Sequence, residues 1–180
     1  MAEDDDLAFV SRLSAELRGE LLDETADVWA ASPFGWIRAQ PSARKGAIGV
    51  AIVRAWANSA GFTVTRATHS DHDLVVSGLK IEVKLSTLWA NGGFTFQQLR
   101  DQDYEHVCLL GIEPQEVRLW TLPKPVALKH ARGQHTGERG QDTSWVSFKA
   151  ASPPPWLQPY GDTLSAARRY LEEAARRAGG

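Results

Sequence analysis

The chain has a single cysteine, Cys108, in 180 residues. One thiol excludes a disulfide framework and a cysteine-built zinc site. Inside an apolar run it is expected to be a small buried hydrophobe. No apolar stretch reaches the roughly 18 residues of a membrane-spanning helix. A Walker-type glycine loop is missing, which argues against NTP hydrolysis, and there are no internal repeats. His130 and His135 lack cysteine partners and the spacing of a zinc pair. The opening Met1-Ala2-Glu3-Asp4-Asp5-Asp6 is acidic and lacks the basic start of a secretory signal, so a reducing cytoplasm is the expected setting.

Acidic side chains are missing from one long span. Residues 1–27 carry nine acids against two arginines, net −7, in a chain whose total is −2. The remainder is therefore +5. Between Asp27 and Asp71 there is no acid, while Arg38, Arg44, Lys45, Arg54 and Arg66 all fall there. A basic stretch that runs into a carboxylate cluster suits a polyanion held beside a metal; the alternative is an ordinary mixed surface.

One domain is expected over residues 1–180. Leu7, Val10, Leu13, Leu17 and Leu21 recur at helical spacing, so residues 1–31 read as an acidic N-terminal helix. It either packs on its own domain or serves as a docking arm. Ser32-Pro33-Phe34-Gly35-Trp36 ends it. A second helix is expected from a Ser42 cap to Ala60, with Ala47, Ile48, Ala51, Ile52 and Ala55 facing a sheet and Gly61 terminating it. Phe62 to Thr68 reads as a first strand.

The segment from Asp71 to Lys84 carries the chemistry. Apolar residues flank Ser77-Gly78, a two-residue hairpin signal. With those two as the turn, Val76 lies opposite Leu79, Leu74 opposite Ile81, Asp73 opposite Glu82 and Asp71 opposite Lys84. Side chains alternate between faces along a strand. Leu74, Val76, Leu79, Ile81 and Val83 then share the core face, and Asp71, Asp73, Glu82 and Lys84 share the other. Like charges directly opposite one another destabilise a sheet, and a broken local rule marks a functional site. A divalent cation between Asp73 and Glu82 would remove the repulsion. The alternative is a solvated edge hairpin with mixed charges.

Asp73 at the end of a short strand, then Glu82-Val83-Lys84 on the next, resembles the PD-(D/E)XK nuclease superfamily. The resemblance covers about residues 42–122. It implies the restriction-endonuclease-like fold: an α/β protein with an α-β-β-β-α-β core, a mixed central sheet flanked by helices, here with N- and C-terminal helices added. It implies Mg²⁺, with Mn²⁺ as a substitute, held by Asp73, Glu82 and the main-chain carbonyl of Val83. Lys84 would position water and phosphate. It further implies hydrolysis of DNA phosphodiester bonds, double-stranded DNA as partner and a homodimer, in a restriction or defence role. Alternatives within reach are a repair or junction nuclease and a nuclease-fold protein that binds DNA without cutting. The latter is motivated by a departure from the family pattern: Lys45-Gly46-Ala47-Ile48-Gly49 is followed by Val50 where related proteins carry an accessory acidic ligand. Glu20, Asp23, Glu24 or Asp27 would have to substitute.

After Lys84, Asn91-Gly92-Gly93 is expected to be a mobile loop, with Trp89 and Phe94 beside it either stacking on bases or covering the sheet end. Phe96 to about Tyr104 is expected to be a short helix. Related nucleases place a glutamine there, which points to Gln98, with Gln97 second. Lys45, Arg44, Ser86, Trp89, Asn91, Arg100 and Arg132 are the candidate nucleic-acid contacts. His106 to Ile112 reads as a central strand buried on both faces and parallel to the Lys84 strand, and Glu116 to Leu122 as the next. The extension, residues 123–180, should hold a short helix from Pro123 to Ala131, a polar loop from Arg132 to Gln141, an edge strand from Ser144 to Lys149 and an extended proline connector. A last helix over residues 163–177 follows, capped by Thr163. Its Arg168, Arg169, Arg176 and Arg177 either reach phosphates or are solvated.

Overall fold

The hairpin fixes the centre of the fold. A computed structural model describes residues 9–14, 25–67, 71–135 and 143–179. In it, β2 (Leu74–Val76) pairs antiparallel with β3 (Leu79–Thr87) in the register Val76↔Leu79, Val75↔Lys80 and Leu74↔Ile81. Ser77 and Gly78 both adopt positive φ, 48° and 90°. That is the two-residue turn whose twist matches a right-handed strand pair. β1 (Val64–Arg66) adds the outer strand. β5 (His106–Ile112) runs parallel to β3, and β6 (Val117–Pro123) antiparallel to β5. The result is a mixed five-stranded sheet in the order β1-β2-β3-β5-β6, the mixed sheet that the sequence reading requires.

One face of this sheet is covered by helices. α1 (Thr25–Ala30) and α2 (Gly35–Arg38) lead into α3 (Ser42–Ser59). Val53 and Ala57 of α3, together with Ala167 and Leu171 of the last helix α5 (Leu164–Ala178), close over Leu74, Val76, Ile81, Val83, Cys108 and Leu110. The sheet-facing residues of α3 are Gly49, Val53 and Ala57; Ala47, Ala51 and Ala55 face outward. Of the expected stripe, Ile48 and Ile52 pack half-buried against the core while its alanines face outward, because Gly49, Val53 and Ala57 take the closest approach to the sheet. The reason is Gly49: a Cβ there would meet Leu85 Cβ at 2.9 Å. The missing side chain lets helix and strand approach, and that contact sets the rotation of the helix. Pro41, not Ser42, occupies the N-cap position, with no side-chain cap. Residues 9–14 are helical and so is Thr25–Ala30; the rest of the expected N-terminal helix lies outside the described residues.

The other face is covered by strands rather than helices. β4 (Gly93–Leu99), β8 (Thr143–Lys149) and β7 (Arg132–His135) form a second, three-stranded sheet in the order β4-β8-β7. Phe94, Phe96, Leu99 and Val146 pack on Val107, Leu109, Trp120 and Leu122, with Ala127 of α4 (Lys124–His130) and Leu157 of the 3-10 helix Pro155–Tyr160. This overturns the helix expected from Phe96; of the loop expected before it, Asn91 and Gly92 form the turn and Gly93 opens β4. Phe94, Thr95, Phe96 and Gln97 alternate buried and half-buried, a period of two that a helix cannot satisfy. β8 lies inside the second sheet rather than at an edge, and the expected polar loop begins as β7. The chain from Pro155 is a 3-10 helix, not an extended connector.

Thr163 caps α5 as expected, its hydroxyl accepting the Ala166 N–H at 3.1 Å. Arg168 pairs with Glu172 one turn on and Arg177 with Glu173 one turn back, at the helix surface. Such pairs contribute little to stability. Cys108 is buried, with its thiol 3.2 Å from the Thr121 hydroxyl; burial pushes its pKa up to about 12, so it stays an unreactive thiol. Among the described residues no helix is long and apolar enough to cross a membrane.

Candidate active site

Asp73 sits one residue before β2. Its N–H donates to the Ile81 carbonyl at 3.0 Å, and its carboxylate Oδ2 accepts the Val83 N–H at 2.8 Å. These two bonds turn the side chain across the hairpin toward β3. Glu82 lies on β3, which the sheet encloses on both edges, and it is only 8% exposed. Its Oε1 accepts the Lys84 ammonium at 2.6 Å. Burial raises the Glu82 pKa; the Lys84 charge opposes that, and the neighbouring Asp73, within hydrogen-bonding reach, adds to it. Two carboxylates therefore share a site of low water access with one ammonium between strand positions 82 and 84.

The strand alternation puts Glu82 and Lys84 on the same side, while Ile81 and Val83 enter the core. Asp71 departs from the expected register. Pairing stops at Leu74, Asp71 lies in a turn, and its charge acts on Lys80. Tyr104 was not anticipated. It is buried, its hydroxyl donates to the Arg100 carbonyl at 2.6 Å, and burial followed by the Glu82 charge raises its pKa. Its ring packs in the core cluster on the second-sheet side. No sequence signal marked it, because it comes near Glu82 only through the β3–β5 pairing.

The donor set decides which cation fits. Asp73 and Glu82 offer acceptor-only oxygens, and the Lys84 ammonium is the positive charge that Glu82 now takes. Hard oxygen donors suit Mg²⁺ or Mn²⁺, which need only one or two carboxylates together with water and phosphate. Among the described residues there is no group of three or more His, Cys, Asp and Glu placed to hold a metal. Val50 packs against the helix-side core and supplies no oxygen. Glu20, Asp23 and Glu24 lie outside the described residues, as does the side chain of Asp27. Val83 brings its N–H to Asp73. His72 is buried beside the carboxylates, and His69 lies outside the described residues. His130 stacks on Trp156 with ring centroids 4.1 Å apart, which gives it a packing role.

A cleft of about 430 Å³ opens beside this pair, walled by the start of α3, by β3 and by β4. Lys84 belongs to both, since it lines the cleft and contacts Glu82. Lys45, Val83, Ser86, Trp89, Gln97 and Gln98 also line it, so with Lys84 the fold brings together seven of the candidate site residues singled out from the sequence. Gln98 arrives there by a different route from the one expected. It sits at an irregularity of β4 between Phe96 and Leu99, with φ of 59°, and not on a helix. Ser86 is buried and its hydroxyl accepts the Thr95 N–H at 2.9 Å, which ties β3 to β4.

Asp73 and Glu82 meet the cleft through Lys84 and do not line it themselves, and four of the expected nucleic-acid contacts also lie off it. Arg44 is exposed on α3 and donates to Gln40 at 3.3 Å. Asn91 caps its own turn, accepting the Gly93 N–H at 2.9 Å. Arg100 follows β4, half-buried, and Arg132 is exposed on β7 opposite Trp145.

No known family profile matches the chain, and no curated protein matches it in sequence. Among solved structures it is similar to a bacterial homing endonuclease, at 19% identity and a TM-score of 0.48, over 78% of this chain and 99% of that one. It is also similar to a Holliday junction resolvase from the archaeal hyperthermophile Archaeoglobus fulgidus, at 13% identity and a TM-score of 0.41, over 69% of this chain and 96% of that one. The assignment of chemistry below rests on the hairpin carboxylates and their lysine.

Proposed function

We propose that this protein is a divalent-metal-dependent endonuclease that hydrolyses DNA phosphodiester bonds. One observation carries the proposal: Asp73 and Glu82 converge in a water-poor site, with the Lys84 ammonium 2.6 Å from Glu82 and lining an open cleft. Asp73 and Glu82 would hold Mg²⁺ or Mn²⁺, with the Val83 carbonyl as a further oxygen. Bound there, the cation polarises the phosphate and acidifies water.

The chain's own groups do the rest. The Val83 N–H fixes Asp73, so its second oxygen faces the site already oriented. Lys84 stabilises charge on the phosphate and orients the attacking water. Lys45 and Gln98 hold the flanking backbone from the cleft walls. In the hydrolysis, water oxygen forms the new bond to phosphorus and the bond to the departing sugar oxygen breaks. That oxygen keeps the electron pair and takes up a proton.

A restriction or defence role on double-stranded DNA in the cytoplasm belongs to this reading, with a homodimer matching both strands. Val50 favours a second reading, a protein of this fold that binds DNA without cutting it. The test is cleavage of supercoiled and linear DNA with Mg²⁺, Mn²⁺, Ca²⁺ or EDTA, beside Glu82→Ala. Discrete products with Mg²⁺ or Mn²⁺, absent in EDTA and in the variant, are the expected result. DNA shifted in a gel but never cut would replace it with the second reading.

A further inference from the structure

We propose that the cleft receives one unpaired nucleotide with its base stacked on Trp89, so that duplex DNA with an unpaired base beside the scissile phosphate is preferred over fully paired DNA. This names the substrate class of the site proposed above and rests on that reading.

Among the described residues Phe9, Trp36 and Trp89 are exposed aromatics, and of these three Trp89 lines the cleft. Trp120, Phe94 and Phe96 are buried to 1% exposure or less, whereas Trp89 is 49% exposed and lines the cleft. Its position is held by the backbone. The Trp89 N–H donates to the Gly93 carbonyl and the Gly92 N–H to the Trp89 carbonyl, both at 2.9 Å. The turn between β3 and β4 thus presents a large flat apolar ring at a set place, with little conformational entropy left to lose on binding. Every base has a face that stacks on such a ring, whatever the sequence.

The opposite wall suits the phosphate. Lys45 is half-buried at the start of α3, and the nearest charge acting on it is another cation, Arg38. Burial and that like charge make its ammonium costly to keep, a cost that an anion in the cleft removes. Gln97 and Gln98 offer amide donors and acceptors to base edges between these walls. The cleft, at about 430 Å³, lies within the roughly 300–1,000 Å³ of sites for single small molecules and has room for one nucleotide. In intact duplex DNA the base faces are covered by their neighbours, so only an extruded or unpaired base can meet Trp89.

The test is equilibrium binding in EDTA, where no cutting occurs. Two duplexes are compared: one fully paired, one with a single unpaired 2-aminopurine. The protein should bind the interrupted duplex more tightly and quench its fluorescence. Trp89→Ala should lower the ratio of the two affinities by about 5- to 150-fold and remove the quenching, while Trp89→Phe keeps most of both. Equal binding of the two duplexes, or a ratio untouched in Trp89→Ala, would overturn the inference. Cleavage with Mg²⁺ is scored separately on the same DNA. Cutting without any preference would remove the stacking site and leave the nuclease; preference without cutting would keep the stacking site and remove only the hydrolysis.

Discussion

Two glycines three residues apart on α3 should respond in opposite senses to the same substitution. At Gly46 a Cβ meets nothing within 4 Å. Alanine there loses less backbone entropy on folding and gains about 0.8–1.0 kcal/mol of helix propensity. For a chain of this size each kcal/mol moves the melting temperature by about 2–4 °C, so Gly46→Ala should melt a few degrees higher. At Gly49 the same Cβ lands 2.9 Å from Leu85 Cβ and 3.7 Å from Val83 Cγ1. Leu85 Cβ is fixed to the β3 backbone and cannot swing aside. Either helix or strand must move, and such overpacking costs about 1–3 kcal/mol, which cancels or exceeds the propensity gain. Gly49→Ala should therefore melt below Gly46→Ala by about 2–12 °C. Differential scanning calorimetry of the two variants measures the gap. Equal melting temperatures would mean that α3 does not rest on β3 as closely as described. The cleft wall that carries Lys45 would then be misplaced, and the function built on it with it.

Glu82 gives a pH signature. Its pKa is raised from an ordinary 4.5, so the folded state keeps its proton to higher pH than the unfolded state. Stability contributed at this position is then lost as pH rises through that window. In EDTA, Glu82→Gln should melt above the parent protein at neutral pH, with the gap closing below pH 4.5; a gap of opposite sign would refute the assigned burial. Saturating Mg²⁺ or Mn²⁺, at about 100 times its dissociation constant, should raise the parent melting temperature by about 5–11 °C and leave Glu82→Gln unmoved. Lys84→Ala should abolish cleavage while sparing DNA binding in a gel shift; full activity would remove its assigned role. Thr163→Ala should cost about 0.5–2 kcal/mol in chemical denaturation through the lost cap of α5.

The hairpin was legible because its information is local. A two-residue turn fixes which residues face each other, and the period of two then sorts core from site. The register Leu74↔Ile81 and Val76↔Leu79, the buried face and the convergence of Asp73 with Glu82 all follow from that short stretch. The central strand His106–Ile112 was legible from its unbroken apolar run. The segment after β3 was misjudged although its alternation of Phe94 and Phe96 with Thr95 and Gln97 is plain in the sequence; a helix expected from the family resemblance outweighed the period.

The sequence alone determined the arrangement at the hairpin: which carboxylates meet and which lysine joins them. Tertiary structure decided where that arrangement meets a cleft. The cleft depends on β4 lying against β8, where Thr95 meets Ser147 across 52 residues of chain, and on α3 pressing onto β3 at Gly49. Contacts so distant along the chain leave no local pattern, because each is chosen by packing against the whole core rather than by its neighbours in sequence. The sequence singles out Trp89 beside a glycine turn, either stacking on bases or covering the sheet end, and the tertiary structure leaves its ring exposed on the cleft wall.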